Sequence, residues 1–226
     1  MKFEITDPRA LALSSADPRM GLLIRFIGDL EIRIESDPFV SLVRSIISQQ
    51  ISVKAAATIR GRVLEVTGAF TPEAIHQQED EALRTAGLSA AKVVYLRDLC
   101  SRILAGQLDF NLFPSLTNEE IIQALTAVKG IGRWTAEMFL IFAMGRYDVV
   151  SNGDAGLQRA ARWLHGLEER KDKKYLEQIS HLWTPYGAIA GLYLWEAINC
   201  GAVDGSDNLE HWIFISGDRA AGTTRQ

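Results

Sequence analysis

Apolar residues in the first half of the chain recur every three or four positions. Phe39, Leu42, Val43, Ile46, Ile47 and Ile51 form one stripe along a helix that Ser36 or Asp37, with Pro38, would start. A second periodic run, Ser52 to Thr67, stops at Gly68, a residue suited to the left-handed turn after a helix, and Thr71-Pro72-Glu73 opens another. The same spacing predicts helices over Glu79 to Ala86, Ala90 to Leu104, Asn118 to Val128, Thr135 to Ala143, Gly156 to His165 and Lys173 to Trp183, with short Gly, Pro, Ser or Asn punctuation between them. Strand-like stretches are limited to Phe3 to Ile5 and Ile213 to Ile215, too few to build a sheet domain. The pattern predicts an all-α globule without repeats or long linkers, ending in a frayed tail from about Asp218 to Gln226.

With 47% hydrophobic and 23% charged residues among 226, the chain can bury a substantial core. No apolar run reaches the roughly 18 to 20 residues that cross a bilayer, and Met1 to Arg9 lacks the apolar block of a secretory signal. No membrane partner and a cytoplasmic location are therefore expected. Cys100 and Cys200 have no second thiol or histidine near them, so neither a zinc site nor an iron–sulfur cluster can be read, and both are expected as small core side chains. A net charge of −4 excludes a protein that coats nucleic acid with diffuse positive charge, because such affinity comes from Lys and Arg neutralising phosphates. If DNA is the partner, its contacts must be local.

One segment has the chemistry for local contacts. Leu125 to Ala136 reads Leu-Thr-Ala-Val-Lys-Gly-Ile-Gly-Arg-Trp-Thr-Ala, two helical runs broken by a short Gly-x-Gly hairpin. Glycines allow close backbone approach, and the amides that open the following helix form a cradle for an anion such as phosphate. Lys129 and Arg133 add positive charge at the same place. An ordinary helix end followed by a new helix start has the same appearance, so the hairpin alone does not decide the function.

Gly130-Ile131-Gly132-Arg133-Trp134-Thr135-Ala136 resembles the helix-hairpin-helix signature of DNA repair glycosylases. About twenty residues on, Asp148-Val149-Val150-Ser151-Asn152-Gly153-Asp154 stands where that superfamily has a Gly/Pro-rich loop and an essential aspartate. Ile46-Ile47-Ser48-Gln49-Gln50-Ile51-Ser52, Gly87-Leu88-Ser89-Ala90-Ala91-Lys92, Trp183-Thr184-Pro185-Tyr186 and Leu192-Tyr193-Leu194-Trp195 resemble the alkylation-repair branch, the 3-methyladenine DNA glycosylases. The resemblance runs from Asp37 to Trp195. It implies an all-α helix-hairpin-helix glycosylase fold: a middle lobe over 37–153 that contains the hairpin 125–136, a second lobe from 1–36 plus 154–217, and an active-site cleft between them. Two departures stand out. Only about thirty-five residues precede the matching region, so the amino-terminal α/β domain of larger bacterial members is expected to be absent or vestigial. Pro185-Tyr186-Gly187-Ala188 also lacks the Arg-Ser pair common after that aromatic.

The resemblance also implies a chemistry. Breaking the bond from C1′ to a base nitrogen builds positive charge on the sugar, which Asp154 would stabilise directly or by orienting a water. Before Ala155-Gly156-Leu157 the same residue reads as a helix N-cap. The two roles are compatible, since amides at a helix start favour an ionised carboxylate. Asp148 reads as a structural partner. Superfamily members that also cut the backbone carry a Schiff-base lysine just after the hairpin; Trp134 stands there, which implies a monofunctional enzyme that needs no cofactor for catalysis.

Trp134, Tyr186 and Trp195 match aromatic positions that would hold a cationic alkylated purine, while Trp163, Trp183, Tyr193 and Trp212 read as packing. Gln50, with Ile51, lies at the corner that would fill the gap left by a flipped nucleotide, although Gln50 equally reads as a polar helix end bonding locally. Lys129, Gly130, Gly132, Arg133 and Thr135 would meet DNA phosphates, and the carbonyls of Thr126, Val128 and Ile131 would hold a structural Na or K ion. Arg44, Lys54, Arg60 and Arg62 read as a solvated face or as phosphate contacts. The implied partner is double-stranded DNA with damaged bases, met by a monomer in the cytoplasm and associated with the bacterial nucleoid. A noncatalytic helix-hairpin-helix module that grips DNA for a partner enzyme is the competing reading, and Asp154 with the aromatic set discriminates against it. An all-helical interaction scaffold would leave the hairpin unexplained.

Overall fold

Asp-Pro pairs open three helices. Proline at the first helical position lacks the amide that would be orphaned there, and the aspartate before it accepts an amide from the next turn. Asp7 accepts from Arg9 N–H at 2.9 Å, Asp17 from Arg19 and Met20 N–H at 3.0 and 3.2 Å, and Asp37 from Val40 N–H at 3.0 Å. These caps start α1 (Pro8–Ala16), α2 (Pro18–Ile27) and α3 (Pro38–Ser48). The structure, a computed structural model, describes residues 1–167 and 174–222, with 217–222 as backbone alone. Its chain divides into two units, one of Met1–Arg33 with Arg146–Gln226 and one of Ile34–Gly145.

The second of these units holds α3, α4 (Val53–Thr67), α5 (Pro72–His76), α6 (Asp80–Thr85), α7 (Ala90–Leu104), a 3₁₀ turn at Phe110–Ser115, α8 (Asn118–Thr126) and α9 (Arg133–Phe142). The stripe Phe39, Leu42, Val43, Ile46 and Ile47 is buried as its period predicts. It meets α7 and α9, which contribute Val93, Leu96, Leu99, Ala136, Phe139 and Leu140 to the same core. Phe113 packs edge-on to Phe110 and Phe139, with centroids 5.3 and 5.9 Å away.

The first unit adds α10 (Ala155–Leu164), α11 (Tyr175–Ile179), a 3₁₀ turn at Ser180–Trp183, α12 (Gly187–Asn199), α13 (Ala202–Gly205) and α14 (Leu209–Gly222). Helix α12 is apolar on every side from Gly187 to Leu194 and accordingly buried there. A Cβ at Gly187 would overlap Val150, so only glycine allows this approach. The polar centre of the unit is Asp17. Its Oδ2 accepts from Trp183 Nε1 at 3.0 Å and lies 3.2 Å from His165 Nε2, while Oδ1 caps α2. Burial works to raise the carboxyl's pKa, but hydrogen bonds from His165 and Trp183 outweigh it and leave the group below the usual carboxylate range.

Several expectations change. Ile213 to Ile215 lie inside α14, not in a strand: three apolar residues carry no period, and the helix containing them starts at Leu209. Near the amino terminus only Lys2–Phe3 (β1) forms a strand, pairing antiparallel with Leu30–Glu31 (β2). Lys173 lies outside the described residues, and the expected helix to Trp183 is instead α11 followed by a 3₁₀ turn. Cys100 is buried, but Cys200 closes α12 at an exposed position. Helix α14 carries the backbone past Asp218 to Gly222, and 223–226, the rest of the expected tail, lie outside the described residues. Among the described residues no helix is long and apolar enough to cross a membrane.

The Asp17 cluster makes a stability prediction whose sign follows from its depressed pKa. Such a group contributes stability above its unfolded value of about 3.9, and this contribution is lost as pH falls through the lower folded value. Asp17→Asn should therefore cost about 1–3 kcal/mol at pH 6, and the gap between variant and wild type should close as pH is lowered below about 4. Urea unfolding at a series of pH values measures this; a gap independent of pH would contradict it.

Candidate active site

The last turn of α3 leads into a corner, Gln49 to Ser52, where Gln50 is the one described non-glycine residue with positive φ, at 56°. Ser52 caps α4 by accepting Ala55 N–H at 3.3 Å. At this corner Gln50 is exposed, Ile51 is 37% exposed and Val53 88%. Lys92 Nζ donates to both Ile47 O and Gln49 O at 2.8 Å, and Gln49 Nε2 donates to Gly130 O at 2.9 Å. The expected intercalating corner and the Gly-x-Gly hairpin are thus hydrogen-bonded neighbours.

In the hairpin, the buried side chains of Val128 and Ile131 anchor a turn closed by Ile131 N–H on Val128 O at 3.1 Å. Gly130 has φ of 79°, and a Cβ there would overlap the Tyr95 ring. Both the left-handed backbone and that ring call for glycine here. Gly132 is different. It starts α9 with an open surround and without a side-chain cap, the kind of helix start that suits an anion. Lys129 is exposed, and its backbone N–H donates to Asp98 Oδ2 at 2.9 Å.

Arg133, expected at phosphate, is ion-paired within its unit while its side chain stays 59% exposed. Its guanidinium reaches Glu119 at 3.0 and 2.8 Å and Glu137 at 3.1 Å, and the hydrogen bonds to Glu119 raise its pKa further. Thr135 is buried, so its contribution to a phosphate site is limited to its place in the first turn of α9. Trp134 is half exposed.

A cavity of about 510 Å³, not marked by any sequence motif, lies within the same unit between α3 and α9. Ser41, Ser45 and Ser48 line one side and Met138, Phe139 and Phe142 the other, with Arg60 at its edge. The serines' spacing of four and three is a readable polar stripe on α3. Arg44 also lines this cavity and is ion-paired with Glu35.

In the other unit, Asp154 is the N-cap of α10, as its sequence context predicts. Leu157 N–H donates to its Oδ1 at 2.8 Å, and Asp154 N–H itself donates to Ser151 O at 3.0 Å. Gly156 matters here, because a Cβ would lie 3.1 Å from Asp154 Oδ1 and 3.3 Å from Ile198 Cδ1. Both ends of α12 are therefore tied to this loop, through Gly187 on Val150 and Ile198 beside Gly156. Tyr186 and Trp195, on either end of the buried stretch of α12, are half-buried, whereas Trp163, Trp183 and Tyr193 are fully packed. Asp148, read as a structural partner, is exposed.

The carbonyls of Thr126, Val128 and Ile131 are uncharged oxygens around one turn, a donor type that suits a hard, singly charged cation, and Val128 O keeps a second lone pair beyond its bond to Ile131. Among the described residues no group of three or more His, Cys, Asp or Glu could hold a metal ion.

Comparison with known proteins gives this arrangement its context. Residues 43–185 match the HhH-GPD superfamily of base excision DNA repair proteins. DNA-3-methyladenine glycosylase 1 of Schizosaccharomyces pombe is 34% identical over 196 residues, covering 81% of this chain and 84% of that protein. The crystal structure of a DNA-3-methyladenine glycosidase from Bacillus halodurans superposes with a TM-score of 0.87 at 40% identity, covering 95% of this chain and 99% of the other. A 3-methyladenine DNA glycosylase of S. pombe in complex with abasic DNA superposes with a TM-score of 0.72 at 31% identity, over 89% and 98% of the two chains. A glycine hairpin between two helices and an aspartate-capped helix beyond it mark the helix-hairpin-helix class. The chain belongs to this superfamily of base excision repair proteins, in its 3-methyladenine DNA glycosylase branch.

The two hairpin glycines should respond differently to substitution. Gly130→Ala meets both the left-handed backbone and the Tyr95 ring and should lower stability by about 2 kcal/mol or more. Gly132→Ala, at φ of −90° with open space, should stay within about 0.5 kcal/mol. Equal shifts in the urea midpoints of the two variants would refute the assignment of Gly130 to Tyr95.

Proposed function

We propose that the chain is a monofunctional glycosylase that extrudes alkylated purines of the 3-methyladenine and 7-methylguanine type from double-stranded DNA and hydrolyses their N-glycosidic bond. It acts as a monomer in the cytoplasm and leaves an abasic site in an uncut strand. The relatives' names support the substrate class, and the S. pombe enzyme's structure with abasic DNA supports the partner.

The observation that carries the reading is Asp154 at the start of α10, one oxygen held by an amide at 2.8 Å and a glycine two residues on where a Cβ would lie 3.1 Å from that oxygen. A carboxylate so held cannot swing away as positive charge develops on the sugar. It stabilises that charge directly or through an oriented water, without reorganising first. Alkylation at N3 or N7 makes the purine cationic and already a good leaving group, so no acid is needed to protonate it. Trp134, Tyr186 and Trp195 offer electron-rich faces to such a ring, each worth about 0.5–2 kcal/mol.

Phosphate contact falls to Lys129, to Arg133, whose ion pair with Glu119 is solvent-exposed, and to the backbone at Gly130, Gly132 and Thr135. Gln50 and Ile51 fill the space of the extruded nucleotide, at a flipping cost of a few kcal/mol. The carbonyls of Thr126, Val128 and Ile131 hold a monovalent cation that would stiffen the hairpin. Trp134, in the position where backbone-cutting relatives carry lysine, supports glycosylase chemistry without a Schiff base.

Asparagine caps a helix as well as aspartate does, so Asp154→Asn removes the charge and keeps the fold. Single-turnover release of 3-methyladenine from methylated duplex should fall by about two orders of magnitude or more, with affinity for abasic duplex within a few-fold of wild type. A residual rate above about a tenth would sink the assignment. Borohydride added to wild type turning over methylated duplex should trap no protein–DNA adduct, and the abasic product should stay uncut until alkali is added. A trapped band would overturn the monofunctional reading.

A further inference from the structure

One face of α7 touches both the corner and the hairpin turn that the proposed reading sets against DNA. Lys92, Tyr95 and Asp98 are spaced by three and share that face. Asp98 Oδ2 accepts the hairpin's Lys129 N–H at 2.9 Å, Tyr95 fills the place where Gly130 has no side chain, and Lys92 Nζ bridges Ile47 O and Gln49 O. Gln49 then closes the circuit by donating to Gly130 O at 2.9 Å.

Lys92 is costly where it stands. It lies in the first turn of α7, where the helix dipole opposes a cation, and desolvation pushes its pKa down. Gln50 is costly too, since a left-handed non-glycine residue is strained by about 1 kcal/mol or more. A helix usually ends with glycine in that conformation. Here the two carbonyls at the end of α3 are instead gathered by an ammonium, which fixes the turn that Gln50 must adopt.

We infer that Lys92 is the positioning residue for the intercalating corner: by bridging Ile47 O and Gln49 O it holds Gln50 in its left-handed pose and makes corner and hairpin one rigid body, so that docking of the hairpin on phosphate delivers Gln50 to the base stack. The inference rests on the proposed glycosylase reading. It assigns Lys92 no contact with the substrate.

The test is a double-mutant cycle between Lys92→Met and Gln50→Ala, read as single-turnover release of 3-methyladenine and as affinity for abasic duplex. Lys92→Met alone should slow release about tenfold while changing affinity by less than about threefold, and adding it to Gln50→Ala should slow release by no more than about a further twofold. Additive losses, or equal losses of affinity and release, would overturn the inference, because a general structural defect behaves that way. Should Lys92→Met fail to fold by circular dichroism, Gln49→Leu takes its place in the cycle with the same expectation, since it severs only the bond from corner to hairpin. If wild type releases no alkylated base, the glycosylase reading fails on its own. The cycle is then read from 2-aminopurine fluorescence in bound duplex, where a drop with Lys92→Met that vanishes in the Gln50→Ala background still supports the brace and no drop overturns it.

Discussion

Every α-helix leaves four amides and four carbonyls without helical partners, and a chain whose described helices are fifteen residues or shorter meets that demand repeatedly. At the amino ends of eight described α-helices the answer is a short oxygen side chain: Asp7, Asp17, Asp37, Ser52, Thr71, Ser89, Thr117 and Asp154. The proposed catalytic group is one of this series. Asp17 and Asp154 show how the same device diverges with its surroundings. Asp17 is 4% exposed and gives both oxygens to Trp183, His165 and the amides of α2, so it can only be structural. Asp154 caps α10 from a half-buried position flanked by glycines at 153 and 156.

The carboxyl ends of helices are answered less uniformly, and there the fold departs from habit. Gly68 follows α4 in the left-handed region, as usual, whereas α3 ends with Gln50 in that region and Lys92 on its carbonyls. A glycine there would be cheaper for stability. It would also present no side chain at this exposed point of the corner. Strain at this one residue fits a site kept for its side chain, and its cost is offset by packing on α7 behind it.

Much of this was legible where a cap and an apolar period coincide. Helix α7 has the bounds that Ser89 and its stripe predict, and α4 is displaced by one residue. Asp37-Pro38 announces α3; the same pair at Asp7-Pro8 and Asp17-Pro18 announces α1 and α2, whose apolar stripes are too short to stand out by period alone. The capping role of Asp154 was equally local and equally readable. What sequence could not supply are the partners brought by tertiary packing. Tyr95 lies thirty-five positions from the glycine it requires, and Glu119 fourteen from the arginine it engages. A motif shows which residues cluster along the chain but not which of them are already satisfied.

Arg133 illustrates what that omission costs. By sequence it is a hairpin cation ready for phosphate; by structure it is shared between two carboxylates, one of them the buried Glu137. In a chain of net charge −4 this looks wasteful until the hairpin's geometry is considered. Glu137 is 6% exposed, and a carboxylate so buried is costly unless it is paired. Arg133 lies one turn away on α9 and pairs with it, while Gly132 starts the helix without a side-chain cap. A phosphate that meets amides at a helix start needs no full positive charge to be held, and amides cannot rotate away as a long side chain can. On the proposed reading, fixed amides of this kind would suit a surface that delivers Gln50 to a defined point on the duplex.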